Sequence, residues 1–284
     1  MEALSINHFS NELSKYSYSS GDSYRKFLQA YSEIPGVSLQ TIATIRSADV
    51  GEVPLTFVTY TPVGRRDRPR LKVLFTAGIH GDEPAGVFAL YKYLLSISLR
   101  ALDIEVCAFP CINPVGLLRN SRASSGHFDL NRHVDPRSIA PEARAVTSQL
   151  ISLGQTFDAA FDLHEDNAAM PCDFSPESEQ ADAFYLYESN FNPLSTPLGN
   201  TIARAAAAKG IEISSQRTIY GERAIRGVVE RGIERTQFKD LERYLTMNFT
   251  DRVITSETLT TSSLEERIST QVTVLEAGCR ALLA

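Results

Sequence analysis

The chain has 284 residues, with 28 Lys and Arg against 34 Asp and Glu, a formal net charge of −6, and 43% hydrophobic residues. This composition excludes a disordered or low-complexity protein, and the acidic balance speaks against a general nucleic-acid binder. No apolar run reaches the roughly 18 residues of a membrane span, and the N-terminal sequence lacks the pattern of a signal peptide. Since the four cysteines form no C-x-x-C pair, we expect buried thiols in a cytoplasmic protein with no membrane or nucleic-acid partner.

The first half of the chain predicts strands that alternate with helices. The segment LKVLFTAGI (71–79) is almost continuously apolar, as is typical of a strand buried on both faces of a sheet. The predicted elements are a helix at 8–31, strands at 53–61, 71–79 and 103–110, and a helix at 84–99. The segment 111–140 is rich in Asn, Pro, Gly and Ser and predicts a loop.

The second half continues the alternation. The predicted elements are helices at 141–153, 197–209 and 237–247, strands at 157–164, 184–187 and 252–261, and a final helix. Ser262 and Ser263 each precede a Glu by three residues and offer a capping box for that helix. Strands alternating with helices predict one α/β domain with a largely parallel sheet that helices cover on both faces.

His80 and His164 are two of only five histidines, and each lies at the end of an apolar predicted strand. Glu83 follows His80 by three residues across a corner that contains a glycine, so both side chains can turn towards one ion. Two His and one Glu are the ligand set of a catalytic zinc ion with an open fourth position. The alternative for each histidine is an ordinary hydrogen-bonded core residue.

The loop between these candidate ligands is dense in Arg and Asn. It contains the turn Asn113–Gly116, then Arg119 and Arg122, and then the segment Asp-Leu-Asn-Arg at 129–132. Arginine binds a carboxylate through two parallel hydrogen bonds, and a neighbouring Asn adds a third donor. This pattern predicts a binding site for a substrate anion, and the alternative is a polar loop that pairs with surface acids.

These motifs together resemble the zinc carboxypeptidases (carboxypeptidase A-like metallopeptidases). In chain order they are His80-x-x-Glu83, the Asn-Pro-x-Gly turn, Asp129-x-Asn131-Arg132, His164, and Glu257 in the strand ITSETLT. The pair Ile219-Tyr220 resembles the mobile tyrosine segment of that family. The resemblance covers roughly residues 40–280 and implies a zinc carboxypeptidase-like fold, with a mostly parallel, mixed and twisted sheet.

The resemblance also implies a domain division and a role for each matching residue. We expect residues 1–35 to form an N-terminal helical extension packed on the domain, and residues 36–284 to form the catalytic domain. One zinc ion per chain would be held by His80, Glu83 and His164. The other expected roles are Glu257 as general base, Arg122 at the developing oxyanion, Asn131 and Arg132 on the substrate carboxylate, Asp129 behind His80, Tyr220 closing over the substrate, and Arg226 lining the side-chain pocket with a preference for acidic residues.

Some features leave alternatives open. Arg119 competes with Arg122 for the oxyanion role. In an extended strand Asp162 shares the face of the second histidine while Glu165 faces the opposite side, and a second metal near Asp162, Glu165 or Asp166 stays open. His127 and His133 are interpreted as loop residues, and Arg226 has the alternative of pairing with Glu222 or Glu230 on a surface loop.

The predicted function is hydrolysis of the C-terminal amide bond of a peptide or peptide-like substrate with a free carboxylate, through a metal-activated water. The alternative is a zinc-dependent N-acyl amino acid deacylase that resembles aspartoacylase and succinylglutamate desuccinylase. A third possibility is a non-catalytic binder, which would lack a ligand or the base. The Ile219-Tyr220 pair and the ITSETLT strand favour the carboxypeptidase, and the oligomeric state stays open.

Overall fold

The computed structural model of the protein describes residues 21–62, 71–167, 180–192, 196–232 and 240–284. Its strands are β1 (Val37–Ser47), β2 (Gly51–Tyr60), β3 (Leu71–Ala77), β4 (Ile104–Phe109), β5 (Ala159–Asp166), β6 (Tyr185–Asn190), β7 (Thr218–Ile219), β8 (Glu222–Ile225), β9 (Val228–Arg231) and β10 (Arg252–Leu259). Its helices are α1 (Gly21–Ser32), α2 (Ala85–Leu95), α3 (Ile97–Arg100), α4 (Pro114–Arg119), α5 (Pro141–Leu153), α6 (Gly199–Ala208), α7 (Leu241–Asn248) and α8 (Leu264–Leu283), with a 3-10 turn at Leu130–Arg132. Within these ranges, none of the helices is both long and apolar enough to cross a membrane.

These strands form one mixed sheet in the order β1-β2-β4-β3-β5-β10-β6-β9-β8-β7. Its centre is a block of four parallel strands, β4, β3, β5 and β10. Antiparallel pairs extend the block on both sides, β2 along β4 and β6 along β10. The single α/β domain predicted from the sequence is confirmed, and the carboxyl ends of β3 and β5 lie side by side at one edge, where open sheets of this kind bind ligands.

Helices cover both faces of the sheet. Ser256 of β10 donates a hydrogen bond to Gln271 of α8 at 2.5 Å, and the preceding Thr255 donates to Glu242 of α7 at 3.3 Å. Because successive residues of a strand point to opposite faces, α8 and α7 lie on opposite sides of β10. The predicted capping box is present at Ser263, which starts α8.

Helix α1 belongs to the predicted N-terminal extension, and it packs on the domain. The ring of Phe27 meets the rings of Phe88 and Tyr91 of α2 edge-on, with both centroid separations at 5.5 Å. Tyr31, one turn further on, is fully buried. Residues 1–20, and with them the predicted start of this helix at residue 8, lie outside the described residues.

The sequence did not predict three features that the structure contains. Strand β1 lies at the edge of the sheet and buries only Ile45 fully, so its alternation of apolar and polar residues is weak. Helix α4 has six residues, too few for a periodic pattern, and is stabilised by Asn113, whose side chain accepts a hydrogen bond from the Gly116 amide at 2.9 Å. The short strands β7, β8 and β9 depend on pairing with each other and with β6.

Two other predictions fall partly outside the described residues. Residues 237–239, at the start of the predicted helix at 237–247, lie outside the described residues. The described part of the prediction corresponds to α7, which begins at Leu241. Of the cysteines, Cys107, Cys111 and Cys279 are buried and free, as expected, while Cys172 lies outside the described ranges.

Gly81 lies where the corner after β3 touches helix α4. A Cβ atom at Gly81 would lie 1.9 Å from the carbonyl carbon of Gly116 and 2.3 Å from the amide nitrogen of Leu117. Since these neighbours are backbone atoms, no side-chain movement can relieve the overlap. The corner that carries His80 therefore rests directly on the backbone of α4.

We expect Gly81→Ala to lower the free energy of unfolding by about 3 kcal/mol, the upper range for forced overpacking. Gly154→Ala is the matched control, because Gly154 has a positive φ of 56° but nothing within 4 Å of its added Cβ. The control should cost only about 1 kcal/mol, from backbone strain alone. Urea denaturation of both variants measures the difference, and equal losses would contradict the close approach at Gly81.

Candidate functional site

The candidate site residues lie at the carboxyl edge of the parallel block. His80 follows β3 by three residues, and His164 lies near the end of β5, which pairs with β3. Glu257 of β10 stands directly opposite His164 in the register of β5 and β10. Because directly paired residues point to the same face of a sheet, the side chains of His164 and Glu257 share one face.

Glu83 bridges the two histidines. Its Oε1 atom lies 2.7 Å from Nδ1 of His80, and its Oε2 atom lies 2.9 Å from Nδ1 of His164. All three residues are buried, with at most 5% of their surface exposed. One donor atom from each lies within 4.8 Å of the other two, and this is the one such group of potential metal ligands among the residues that the structure describes.

A carboxylate holds each histidine from the other side. Nε2 of His80 lies 3.2 Å from Oδ1 of Asp129, and Nε2 of His164 lies 3.1 Å from Oδ2 of Asp162. Asp162 is itself oriented by Thr76, whose hydroxyl donates to it at 2.6 Å. A proton on each Nε2 satisfies these carboxylates and leaves both Nδ1 lone pairs directed at the centre of the cluster, which is the tautomer that a metal ligand needs.

The ionisable groups of the cluster stabilise one another's charged forms. Burial opposes the ionised form of Glu83, but the two neighbouring histidines hold its pKa well below the usual range. Burial also opposes a charge on His164, and the carboxylates of Asp162 and Glu83 nevertheless raise its pKa well above the usual value. Two imidazoles and a carboxylate are a donor set that divalent transition metals bind. The residues present therefore fit a metal ion.

Of the two competing arginines, Arg122 lies at the cluster. Its Nη1 atom is 3.3 Å from Oε1 of Glu83 and its Nη2 atom is 3.2 Å from Oδ2 of Asp129, while about half of its side chain (48%) stays exposed. Arg119 points away from the site and pairs with Asp49, beside the turn between β1 and β2, at 2.6 Å. Of the two, only Arg122 is thus positioned near the cluster, and its role at the oxyanion stays a prediction.

Glu257 lines the same cavity as the cluster. This cavity is open to solvent, has a volume of about 890 Å³, and is lined by His80, Glu83, His164 and Glu257 among other residues. Burial raises the pKa of Glu257 well above its usual value, although His164 acts in the opposite direction. A carboxyl group with a shifted pKa in an open cavity is a candidate for proton transfer.

Asn131 and Arg132 belong to the 3-10 turn and line the cavity from another side. Oδ1 of Asn131 accepts a hydrogen bond from the backbone amide of Leu241, at the start of α7, at 2.8 Å. This contact uses the acceptor of the Asn131 side chain and leaves its two N–H donors for a ligand. The Arg132 guanidinium adds charged donors at the same place, so this wall suits an anion.

Tyr220 lies at the tip of the β7–β8 hairpin and lines the cavity. Its hydroxyl donates to Oδ2 of Asp166 at 2.6 Å, and the hydroxyl of Tyr185 donates to the same oxygen at 3.0 Å. Burial and the Asp166 carboxylate raise the pKa of Tyr220 above the usual value. No local sequence pattern indicates this contact, because the three residues come from the end of β5, from β6 and from the β7–β8 turn.

Arg226 does not line the cavity, and the expectation that it does so is wrong. It lies in the two-residue turn between β8 and β9, with φ at 53°, and its side chain is exposed. It borders a separate groove that also contains Ala203 of α6 and Ser214. The tight turn carries Arg226 to the far end of the hairpin from Tyr220, and this could not be read from its distance along the chain.

Arg231 is a cavity residue that the sequence analysis missed. Its guanidinium lies over the ring of Tyr187, 3.4 Å from the ring centroid. It pairs with Glu222 at 2.9 Å and also with Glu242 at the start of α7. These partners come from β6, β8 and α7, so no local sequence pattern marks the residue.

The three carboxylates considered for a second metal have other partners. Glu165 accepts a hydrogen bond from the backbone amide of Ala85 at 2.6 Å and pairs with Arg267 of α8, although both Glu165 and Arg267 also line the cavity. Burial raises its pKa to about 7. Asp162 contacts a histidine and a threonine, and Asp166 binds two tyrosine hydroxyls.

By sequence, residues 69–195 match the family described as the succinylglutamate desuccinylase/aspartoacylase catalytic domain. The matched segment contains the three clustered residues His80, Glu83 and His164 together with Asp129. A search among curated proteins returns no significant match for the chain.

Solved structures share the fold over nearly the whole chain. A protein from Shewanella amazonensis SB2B, whose description as a metallopeptidase is itself provisional, has a TM-score of 0.70 at 18% identity over 92% of both chains. The metallo-carboxypeptidase of Burkholderia cenocepacia has a TM-score of 0.64 at 17% identity, over 92% of this chain and 68% of its own. Carboxypeptidase A of Helicoverpa armigera has a TM-score of 0.61 at 13% identity, over 93% of this chain and 73% of its own. The protein thus has a carboxypeptidase-like fold, and both resemblances drawn from the sequence are supported.

We expect the purified protein to hold about one divalent metal ion per chain, and His164→Ala to lose it, because two remaining ligands bind such an ion weakly. His127→Asn is the matched control, since His127 is exposed in a loop with a φ of 61° that Asn tolerates. Elemental analysis of the three proteins measures the effect. Unchanged metal content in His164→Ala would show that the ligand assignment is wrong.

Proposed function

We propose that this protein is a zinc-dependent metallocarboxypeptidase that hydrolyses the C-terminal amide bond of a peptide or peptide-like substrate. The observation that carries the proposal is the position of Glu257 beside the buried cluster of His80, Glu83 and His164, on one face of the sheet and in one open cavity. Amide hydrolysis by an activated water needs a metal site and a base next to each other where substrate can enter. The likeness to solved metallo-carboxypeptidases supports the proposal.

His80, Glu83 and His164 would hold the zinc ion, through the two Nδ1 atoms and the carboxylate that converge at the centre of the cluster. Zinc bound there would lower the pKa of a water molecule and polarise the scissile carbonyl group. Asp129 and Asp162 would keep the histidines in the required tautomer and orientation.

Glu257 would act as the general base. It would take a proton from the attacking water and transfer it to the nitrogen of the leaving amine. Its register with His164 and its position in the same cavity as the cluster support this role. The cavity wall removes part of the surrounding solvent, which strengthens its interaction with the reacting groups.

Arginine and asparagine donors would position the substrate. Arg122 lies beside Glu83, where its free guanidinium donors can stabilise negative charge as it develops on the carbonyl oxygen. Asn131 and Arg132, which line the same cavity, would bind the terminal carboxylate. Tyr220 would cover the bound substrate from the hairpin.

Deacylation of N-acyl amino acids is the second candidate function, and the match of residues 69–195 to the desuccinylase and aspartoacylase domain favours it. Both reactions break an amide bond close to a carboxylate, so the same residues would serve either. We favour the peptide because solved structures that share the fold over most of this chain are metallo-carboxypeptidases. A binder without activity is less favoured because the ligands and the base are all present.

The substitution Glu257→Gln should leave the metal bound but lower kcat by about a hundredfold or more, because the amide cannot accept the proton. Glu230→Gln is the matched control, since Glu230 is exposed on β9 and should keep normal turnover. Steady-state kinetics and metal analysis of both variants provide the test. Near-normal turnover of Glu257→Gln would assign the base to another carboxylate.

A substrate panel tests the function itself. We expect the zinc-loaded protein to hydrolyse peptides with a free C-terminus, to spare the same peptides with an amidated C-terminus, and to lose activity with a chelator until zinc is restored. Faster hydrolysis of N-acetyl or N-succinyl amino acids than of any peptide would favour the deacylase. No hydrolysis of either class would contradict the proposed function.

A further inference from the structure

Tyr220 has an unusual backbone conformation for a tyrosine. It has φ at 48°, and the next residue, Gly221, has φ at 79°, so the two form the tight turn that connects β7 to β8. Positive φ at both central residues of such a turn is typical of Asn and Gly, and a bulky residue there carries strain. Such a residue persists only where its other contacts offset the strain, so the contacts of Tyr220 must hold it in place.

The hydroxyl of Tyr220 reaches the end of β5. It donates to Oδ2 of Asp166 at 2.6 Å, a short hydrogen bond to a carboxylate. Asp166 lies two residues after His164, on the same face of the strand, and lines the same cavity. The Tyr185 hydroxyl, carried by β6, donates to the same oxygen over the longer distance of 3.0 Å.

The residue before Tyr220 anchors the hairpin in a different way. Ile219 is fully buried in a small apolar cluster that includes Tyr185, Tyr187 and Val229, and Tyr220 packs partly against this cluster. The apolar contact fixes where the hairpin lies, but it does not fix the direction of the Tyr220 ring. The hydrogen bond to Asp166 supplies that direction, because it joins the end of the ring to the sheet.

We infer that Asp166 is a positioning residue, which holds Tyr220 against the cavity wall so that the ring covers a bound substrate. The consequence for catalysis rests on the proposed function, whereas the hydrogen bond can be tested without any substrate. The role assigned to Asp166 acts through Tyr220, since both tyrosine hydroxyls donate to the same oxygen, Oδ2.

Hydrogen exchange of the full-length, zinc-loaded protein tests the contact directly. We expect Asp166→Ala and Tyr220→Phe each to speed amide exchange in the hairpin (residues 217–224) by about tenfold. This factor corresponds to the lower end of the free energies measured for a hydrogen bond to a charged group. The double variant should be no faster than the faster single one, because both changes remove the same bond. Asp166→Asn keeps an acceptor oxygen and should fall between Asp166→Ala and the unchanged protein.

Tyr185→Phe is the matched control. It also removes one hydroxyl from the Asp166 carboxylate, but from the rigid strand β6, and should leave the hairpin amides unchanged. Amides of β3 and β5 report in the same experiment whether a variant has lost its fold. The inference would be overturned if Asp166→Ala left hairpin exchange unchanged while the core stayed protected. It would also be overturned if Tyr185→Phe sped hairpin exchange as much as Asp166→Ala does.

Kinetics then test the consequence for the substrate. We expect Asp166→Ala and Tyr220→Phe to raise KM for a peptide by about tenfold with kcat within twofold, and Asp166→Asn to restore part of the loss. Faster hairpin exchange in a protein that hydrolyses no substrate would support the contact and reject the proposed function. An active enzyme whose KM is unchanged by Asp166→Ala would reject the positioning role alone.

Discussion

The bridge that Glu83 makes between His80 and His164 is the interaction on which the rest of the site depends. It places three ionisable side chains in contact in a nearly water-free position, an arrangement that costs free energy unless each group has a partner of suitable charge. Asp129 and Asp162 supply partners for the outer nitrogens, and the three inner groups together form a donor set that fits a divalent metal ion. The site is therefore a layered assembly in which the outer carboxylates set the orientation of the inner ligands.

Residues on both faces of strand β5 make contacts at or around the site. Asp162, His164 and Asp166 line the cavity: Asp162 contacts His164, His164 belongs to the candidate metal cluster, and Asp166 binds the hydroxyl of Tyr220. Glu165 joins the first residue of α2 to α8, while its own amide donates to Glu83 at 3.1 Å. Alternate residues of the strand thus contact different partners, and Glu165 joins the cavity wall to the two helices.

The arginines show why residue type alone is a poor guide to a binding site in an acidic protein. Arg119, Arg231 and Arg267 are each paired with carboxylates of the chain, and only the last two are near the cavity. Arg122 shares its donors between two carboxylates of the cluster and remains half exposed. Exposure and direction, which depend on the folded backbone, distinguish an arginine that can meet a substrate from one that supports structure.

The sequence by itself determined the α/β architecture, the buried strands, and the two histidines and the glutamate that converge at the sheet edge. Strand burial follows from continuous apolar runs, and residues at the ends of parallel strands meet at one edge, so local pattern was sufficient. Only the tertiary structure decided that Arg122 rather than Arg119 lies at the cluster, that Arg226 lies elsewhere, and that Tyr220 binds Asp166. These outcomes depend on tight turns and on the lateral order of strands, which are set by packing between segments far apart in the chain, and a local pattern carries no information about them.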